Sequence, residues 1–215
     1  MFYNVYNNKL LIPGKCGSRF VSSFDWSSEE RYNFPAVTDT RQFQPHLKYV
    51  QWIVLREPHR LLHSAISTEV NSRLTEHARH GYNELTLGVI NQIISDVLDK
   101  IYSDDGTPHY NKHLYQWMYE FYMSDVKNEK LRFVHLNYLS PLIDIIGVEG
   151  GHDYDRHNYD HSKSPYYISM DLLLSISRTD FNDKWLKLFL KMQEQEEYWY
   201  KLVNLGSFQN YQSVI

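Results

Sequence analysis

The run Tyr49 to Leu55 (YVQWIVL) is aromatic, β-branched or aliphatic at every position except Gln51. A strand built from it is apolar on both faces. Such a strand is stable only where both faces are covered, as in the centre of a parallel sheet flanked by helices. Arg56 and Glu57 end the run. Pro58 then suits the first turn of a helix, and Leu61, Leu62, Ala65 and Ile66 give that helix an apolar face.

Two further short apolar runs read as partners of this strand. Lys9 to Pro13 (KLLIP) is cut off by Pro and Gly, and Leu131 to Leu136 (LRFVHL) is flanked by polar residues. Leu10–Ile12, Val50–Leu55 and Arg132–Leu136 are therefore expected as central strands, all parallel. A helix is expected near Ser18 to Phe24, and a short strand near Ala36–Val37. Residues 84–102 carry Ile90, Ile93, Ile94, Val97, Leu98 and Ile101 at amphipathic helical spacing. Residues 110–124 are aromatic-rich and read as helix. Residues 147–165 read as a long polar loop, of a length that is functional or mobile in a compact domain. Met170 to Ile176 and Thr179 to Leu202 read as two closing helices. Strands alternating with helices predict an α/β fold: one three-layer domain over residues 1–215 with a central, mostly parallel sheet.

Charge narrows the partners. Lys plus Arg number 22 against 26 Asp plus Glu, a net charge of −4. A chain that lives on nucleic-acid phosphates carries a basic excess, so no nucleic acid is expected as partner. The single cysteine excludes an internal disulfide and a cysteine-based zinc site, and it suits a reducing compartment. The start, MFYNVYNNKLL, lacks the basic and apolar regions of a signal peptide. No stretch reaches the roughly 18 apolar residues of a membrane span. The expectation is a cytoplasmic protein with no membrane partner.

Two segments carry chemistry. In the first, a strand runs into Pro13-Gly14-Lys15-Cys16-Gly17-Ser18-Arg19 and then a helix. A turn at that junction gathers main-chain N–H groups and the positive end of a helix, which is an anion site. Lys15 adds a mobile charge, and Gly14 and Gly17 let the backbone come close to a ligand. The alternative is an ordinary loop with a solvated lysine. The nucleotide-binding pattern G-x-x-x-x-G-K-[ST] is not met, because Lys15 precedes the second glycine. In the second segment, Arg56 leaves the C-terminal end of a central strand, the edge where open α/β sheets bind ligands. Ser64 follows eight residues later, sharing a helix face with Arg60. Folded back along the sheet, Arg56 and Ser64 converge on one anion, and an arginine fork with a hydroxyl suits a phosphate monoester. The alternative is an arginine that caps the strand and a serine on a packed face.

Together these segments resemble the sulfotransferases that use 3′-phosphoadenosine 5′-phosphosulfate (PAPS), in the branch of carbohydrate sulfotransferases and their bacterial and phage relatives. The family's P-K-x-G-[TS]-[TS] loop corresponds to Pro13–Arg19, with one residue inserted before Lys15 and Arg19 in place of the last hydroxyl residue. Its R-[DN]-P-x-x-R-x-x-S-x-[YW] segment corresponds to Arg56-Glu57-Pro58-His59-Arg60-Leu61-Leu62-His63-Ser64-Ala65-Ile66, which keeps the Arg-to-Ser spacing and lacks the final aromatic. Weaker similarities are His109–His113 (HYNKH), the stretch with His157-Asn158 and Ser162-Lys163, and the helix at Asp180–Phe189.

The resemblance implies a P-loop-nucleotide-hydrolase-like fold, PAPS as co-substrate and no metal. It implies that Lys15, Cys16, Gly17, Ser18 and Arg19 hold the 5′-phosphosulfate and that Arg56 and Ser64 hold the 3′-phosphate, with Ser162 and Lys163 closing the site. Lys15 would stabilise the leaving oxygen. The acceptor is then a carbohydrate or another hydroxyl-bearing molecule. Its hydroxyl needs a general base, for which His46 and Asp39 are the candidates, with Asp25, Glu29 and Glu30 in the same interval. His63 is expected to point off the Ser64 face. Two other functions stay open: a small nucleotide or sugar kinase, and an inactive module that binds a glycan or a partner. The His- and Asp-rich stretch from His152 to His161 has the irregular spacing of weak chelation, so no metal site is expected there.

Overall fold

A computed structural model describes residues 3–6, 9–17, 21, 24, 31–34, 50–80, 85–103, 110–124, 131–147, 167–204 and 208–209. Within them lie six strands of one sheet: β1 (Tyr3–Tyr6), β2 (Leu10–Pro13), β3 (Arg31–Phe34), β4 (Trp52–Leu55), β5 (Arg132–His135) and β6 (Phe208–Gln209). Their order is β3-β1-β2-β4-β5-β6. The three runs expected as central strands are parallel neighbours. Leu10 pairs with Trp52 and Leu11 with Ile53, while β4 pairs with β5 from Trp52↔Arg132 to Leu55↔His135. β2 is buried at all four positions, and β4 and β5 bury Ile53, Val54, Leu55, Phe133 and Val134. Burial on both faces is why these strands read as continuous apolar runs rather than as alternation.

The sheet is mixed at its β1 edge. β1 folds back antiparallel on β2, from Tyr3↔Pro13 to Tyr6↔Leu10, and β3 pairs antiparallel with β1. β6 lies parallel to β5 at the other edge. The strand expected near Ala36–Val37 falls outside the described residues, as do most of the 147–165 stretch and most of the helix expected from Ser18 to Phe24. Val21 is helical, and its amide bonds the Gly17 carbonyl four residues back at 3.1 Å.

Six helices are described: α1 (Pro58–Arg79), α2 (Leu87–Tyr102), α3 (Leu114–Met123), α4 (Leu139–Ile146), α5 (Met170–Asp180) and α6 (Asn182–Asn204). Pro58 starts α1, where its missing N–H costs no helical bond. The Thr86 and Ser169 hydroxyls cap α2 and α5, each accepting an amide three residues on, at 3.3 Å. α4 ends at Gly147, whose φ of +78° closes the helix in the left-handed region. The break between the last two helices lies at Phe181, so Thr179 belongs to α5 and not to the final helix. Trp185, Leu188, Met192, Trp199 and Leu202 line the buried face of α6, which packs on α1, α2 and α3. Lys184 on α6 bonds the Ser95 hydroxyl at 2.6 Å and pairs with Asp99, both on α2. Among the described residues no helix is long and apolar enough to cross a membrane.

Candidate anion site at the parallel-strand edge

The parallel pairing brings the segments that leave β2, β4 and β5 to one edge of the sheet. β2 ends in a tight turn in which the Cys16 amide bonds the Pro13 carbonyl at 3.1 Å. In a type II turn the third residue takes positive φ and is usually Gly or Asn. Here it is Lys15, at φ +66°. A side chain in that region costs about 1–2 kcal/mol relative to glycine.

Two hydrogen bonds among the described residues, and the anchoring of the next residue, hold Lys15 in this conformation. Its ammonium donates to the Thr68 hydroxyl on α1 at 2.5 Å. Its carbonyl accepts from Arg56 Nη1 at 3.3 Å. Beyond it, Cys16 is fully buried in the core. Burial pushes the Cys16 thiol up to about 12, against the lowering charge of Arg56, so the thiol stays protonated. With its amide in the turn and its thiol in the core, Cys16 offers a ligand neither group. Gly17, at φ +92°, lies against β5's exit: a Cβ there would stand 2.5 Å from Leu139 and 2.8 Å from Leu136. The loop thus crosses the end of β4, and packing against Leu136 and Leu139 leaves no room for a side chain at Gly17. Its amide makes no hydrogen bond among the described residues.

Arg56 is held from two sides. Its carbonyl accepts the buried Tyr115 hydroxyl, and Tyr115 is itself fixed by its amide's bond to Gln195 Oε1 at 2.9 Å. The remaining guanidinium N–H groups of Arg56 have no partner among the described residues. Glu57, the carboxylate at this edge, is tied to His135 Nε2 at 3.2 Å and lies 3.7 Å from Arg60 Nε. Partial burial works to raise its pKa. Its own main-chain amide, His135 and Arg60 outweigh that and hold it below the ordinary carboxylate range. His135 Nδ1 accepts the Asn137 amide at 3.1 Å, so Nε2 carries the proton given to Glu57. The Glu57 carboxylate is therefore paired, and among the described residues Arg56 and the Gly17 amide keep N–H donors open at this edge.

α1 presents a polar stripe to the site. Ser64, Thr68, Asn71 and Thr75 recur at helical spacing on one face. Thr68 seats Lys15, and Ser64 lies one turn nearer Arg56, half-buried. Asn71, which is 4% exposed, bonds the main chain of Ile168 in both directions: Nδ2 donates to the carbonyl at 3.1 Å, and Oδ1 accepts the amide at 2.9 Å. Residue 168 is thereby fixed one turn from the Lys15 seat.

Of the residues expected in the site, Lys15, Cys16, Gly17, Arg56 and Ser64 are described; Ser18, Arg19, Asp39, His46, Ser162 and Lys163 lie outside the described residues. Sequence reasoning missed Thr68, Asn71 and Tyr115. The i, i+4, i+7 stripe of hydroxyl and amide residues on α1 is the signal that could have found the first two. His63 does not merely point away. It stacks on Trp185 at 6.0 Å and lines a cavity with α5. Burial, then the charges of His59, Arg178 and Arg56, push its pKa down from 6.5 to about 4. Among the described residues no group of His, Cys, Asp and Glu is placed to hold a metal ion. No family model, curated protein or solved structure matches the chain.

Proposed function

We propose that the chain is a sulfotransferase, which moves a sulfuryl group from PAPS to a hydroxyl of a carbohydrate on a P-loop-nucleotide-hydrolase-like fold. The observation that supports it best is the contact of Arg56 with Lys15, at the edge where β2 and β4 leave the sheet in parallel. Two segments separated by 40 intervening residues meet there, and each bears the residue type a phosphate group needs. The donors left open among the described residues, the Arg56 N–H groups, the Gly17 amide and the Ser64 hydroxyl, together with the Lys15 ammonium that Thr68 seats, suit a doubly phosphorylated nucleotide.

PAPS would supply the activated sulfuryl group. Arg56, with Ser64 on the helix behind it, would hold the 3′-phosphate and set the register of the nucleotide. The Lys15 ammonium would neutralise charge on the oxygen between phosphorus and sulfur as the bond to sulfur breaks. Thr68 orients that ammonium, and the fixed turn gives it a preset position. His46 or Asp39 would take the acceptor's proton.

Calorimetric titration tests the reading. Adenosine 3′,5′-bisphosphate should bind without metal and more tightly than ATP with magnesium. Tighter binding of ATP with magnesium would turn the reading to a kinase, and binding of neither would turn it to a module without a nucleotide.

A further inference from the structure

α5 packs on α1, and beside His63 its outer face lines an open, groove-like cavity of about 560 Å³ with Asp171, Leu174, Ser175, Arg178 and Thr179, most of them exposed. That volume is within the range of small-ligand sites, roughly 300–1,000 Å³. Asp171, Leu174, Ser175 and Arg178 share one face of α5 at i, i+3, i+4 and i+7. Trp185 orders the far end of this face: the Arg178 guanidinium lies 5.2 Å over its ring, and the His63 ring stacks on it at 28°.

The charges define what fits. Asp171 and Arg178 have no ion-pair partner among the described residues, each other included. They are two helical turns apart, about 10 Å along the axis. An anion drawn to Arg178 meets repulsion from Asp171, and a cation meets the reverse. A neutral polyol satisfies both ends, giving hydroxyl protons to the carboxylate and accepting from the guanidinium. Between them, the buried Leu174 and the His63 ring offer apolar surface for the C–H face of a pyranose.

We propose that this cavity seats the acceptor as a neutral disaccharide, with Asp171 and Ser175 binding its hydroxyls and Arg178 its far end. The word acceptor rests on the sulfotransferase reading; the sugar site rests on the cavity. The cavity also belongs to the same frame as the anion site. His63 adjoins Ser64 on α1, and the lead into α5 is bonded to Asn71, one turn from the seat of Lys15.

Saturation-transfer NMR on the full chain, with lactose, cellobiose and N,N′-diacetylchitobiose as probes, tests it. The uronic-acid form of cellobiose is the anionic control. At least one neutral disaccharide should bind. Asp171→Asn and Arg178→Gln should each weaken that binding about tenfold, as expected for loss of a charged hydrogen bond, and leave the affinity for adenosine 3′,5′-bisphosphate unchanged. No signal from any neutral probe, signals indifferent to both substitutions, or tighter binding of the uronate would overturn the proposal. The nucleotide titration separates the two readings. Sugar binding without bisphosphate binding keeps the cavity and removes the sulfotransferase; bisphosphate binding without sugar removes the cavity alone.

Discussion

Arg56 donates through Nη1 to the main-chain carbonyl of Lys15 at 3.3 Å, so the residue that leaves β4 braces the residue that leaves β2. The brace exists because the strands are parallel neighbours; antiparallel pairing would put the two residues on opposite edges. It also gives Arg56 two tasks, since one N–H holds the turn while the others face outward.

Arg56→Ala should therefore weaken adenosine 3′,5′-bisphosphate by about 10- to 100-fold, the effect of one charge-assisted phosphate contact of roughly 1.5–3 kcal/mol. Arg56→Lys should not restore it, because an ammonium cannot hold the turn carbonyl and a phosphate as a planar fork does. Calorimetry against the analogue lacking the 3′-phosphate checks the assignment. Equal losses for both nucleotides would mean that Arg56 acts only by bracing Lys15.

Lys15 can be separated into conformation and chemistry. Lys15→Ala keeps the φ of +66° and removes the bond to Thr68. Lys15→Gly removes the same bond and also the left-handed cost. The glycine variant should be more stable than the alanine variant by about 1 kcal/mol, the relief less the extra entropy lost by glycine on folding. Both should lose turnover alike, by roughly 2–4 kcal/mol in activation free energy. Denaturant midpoints and rates on the two variants decide the matter. A glycine variant less stable than alanine would show that the turn is not strained at residue 15.

The central strands were legible because burial on both faces writes them as apolar runs. β1 was not: YNVY mixes polar and aromatic residues, and its place comes from pairing with β2 rather than from its own pattern. β6, two residues long, has no pattern to read. In the site, Lys15 and Arg56 were legible as residue types at strand ends. The role of Gly17 was not, because the space it vacates belongs to Leu136 and Leu139, far along the chain. Nor was Tyr115, whose bond to Arg56 spans 59 residues and depends on how α3 packs. Long-range side-chain bonds of this kind have no period in sequence.

His63 should make stability depend on pH. Its pKa is lowered on folding from 6.5 to about 4, so between those values the unfolded chain binds more protons than the folded one. The contribution of this residue is present above about pH 6.5 and is lost progressively as pH falls towards 4. Solvent at the half-exposed ring makes the effect smaller than the shift alone implies. Comparing denaturant midpoints of the wild type and His63→Gln from neutral pH to pH 4 isolates it. The variant should lose less stability on acidification. Parallel curves would mean that the ring is not held neutral by burial and by the charges of His59, Arg178 and Arg56.

Asn71 should matter more than its distance from the sheet edge suggests. Its side-chain amide closes both main-chain groups of Ile168 and also bonds the Ser67 carbonyl at 2.9 Å. A buried amide used on both its donor and acceptor sides has no isosteric substitute. Asn71→Ala leaves the amide and carbonyl of Ile168 without these bonds, at a cost of roughly 2–4 kcal/mol. Asn71→Asp keeps the acceptor for the Ile168 amide but turns an oxygen towards the carbonyls of Ile168 and Ser67, so it should be no better than alanine near neutral pH. The sharper readout is local. Amide exchange at Ile168 should be slow in the wild type and fast in Asn71→Ala under conditions where the strands β4 and β5 stay protected. Slow exchange at Ile168 in the variant would show that α1 does not hold the lead into α5 through this side chain, and that the cavity beside His63 keeps its shape by other contacts.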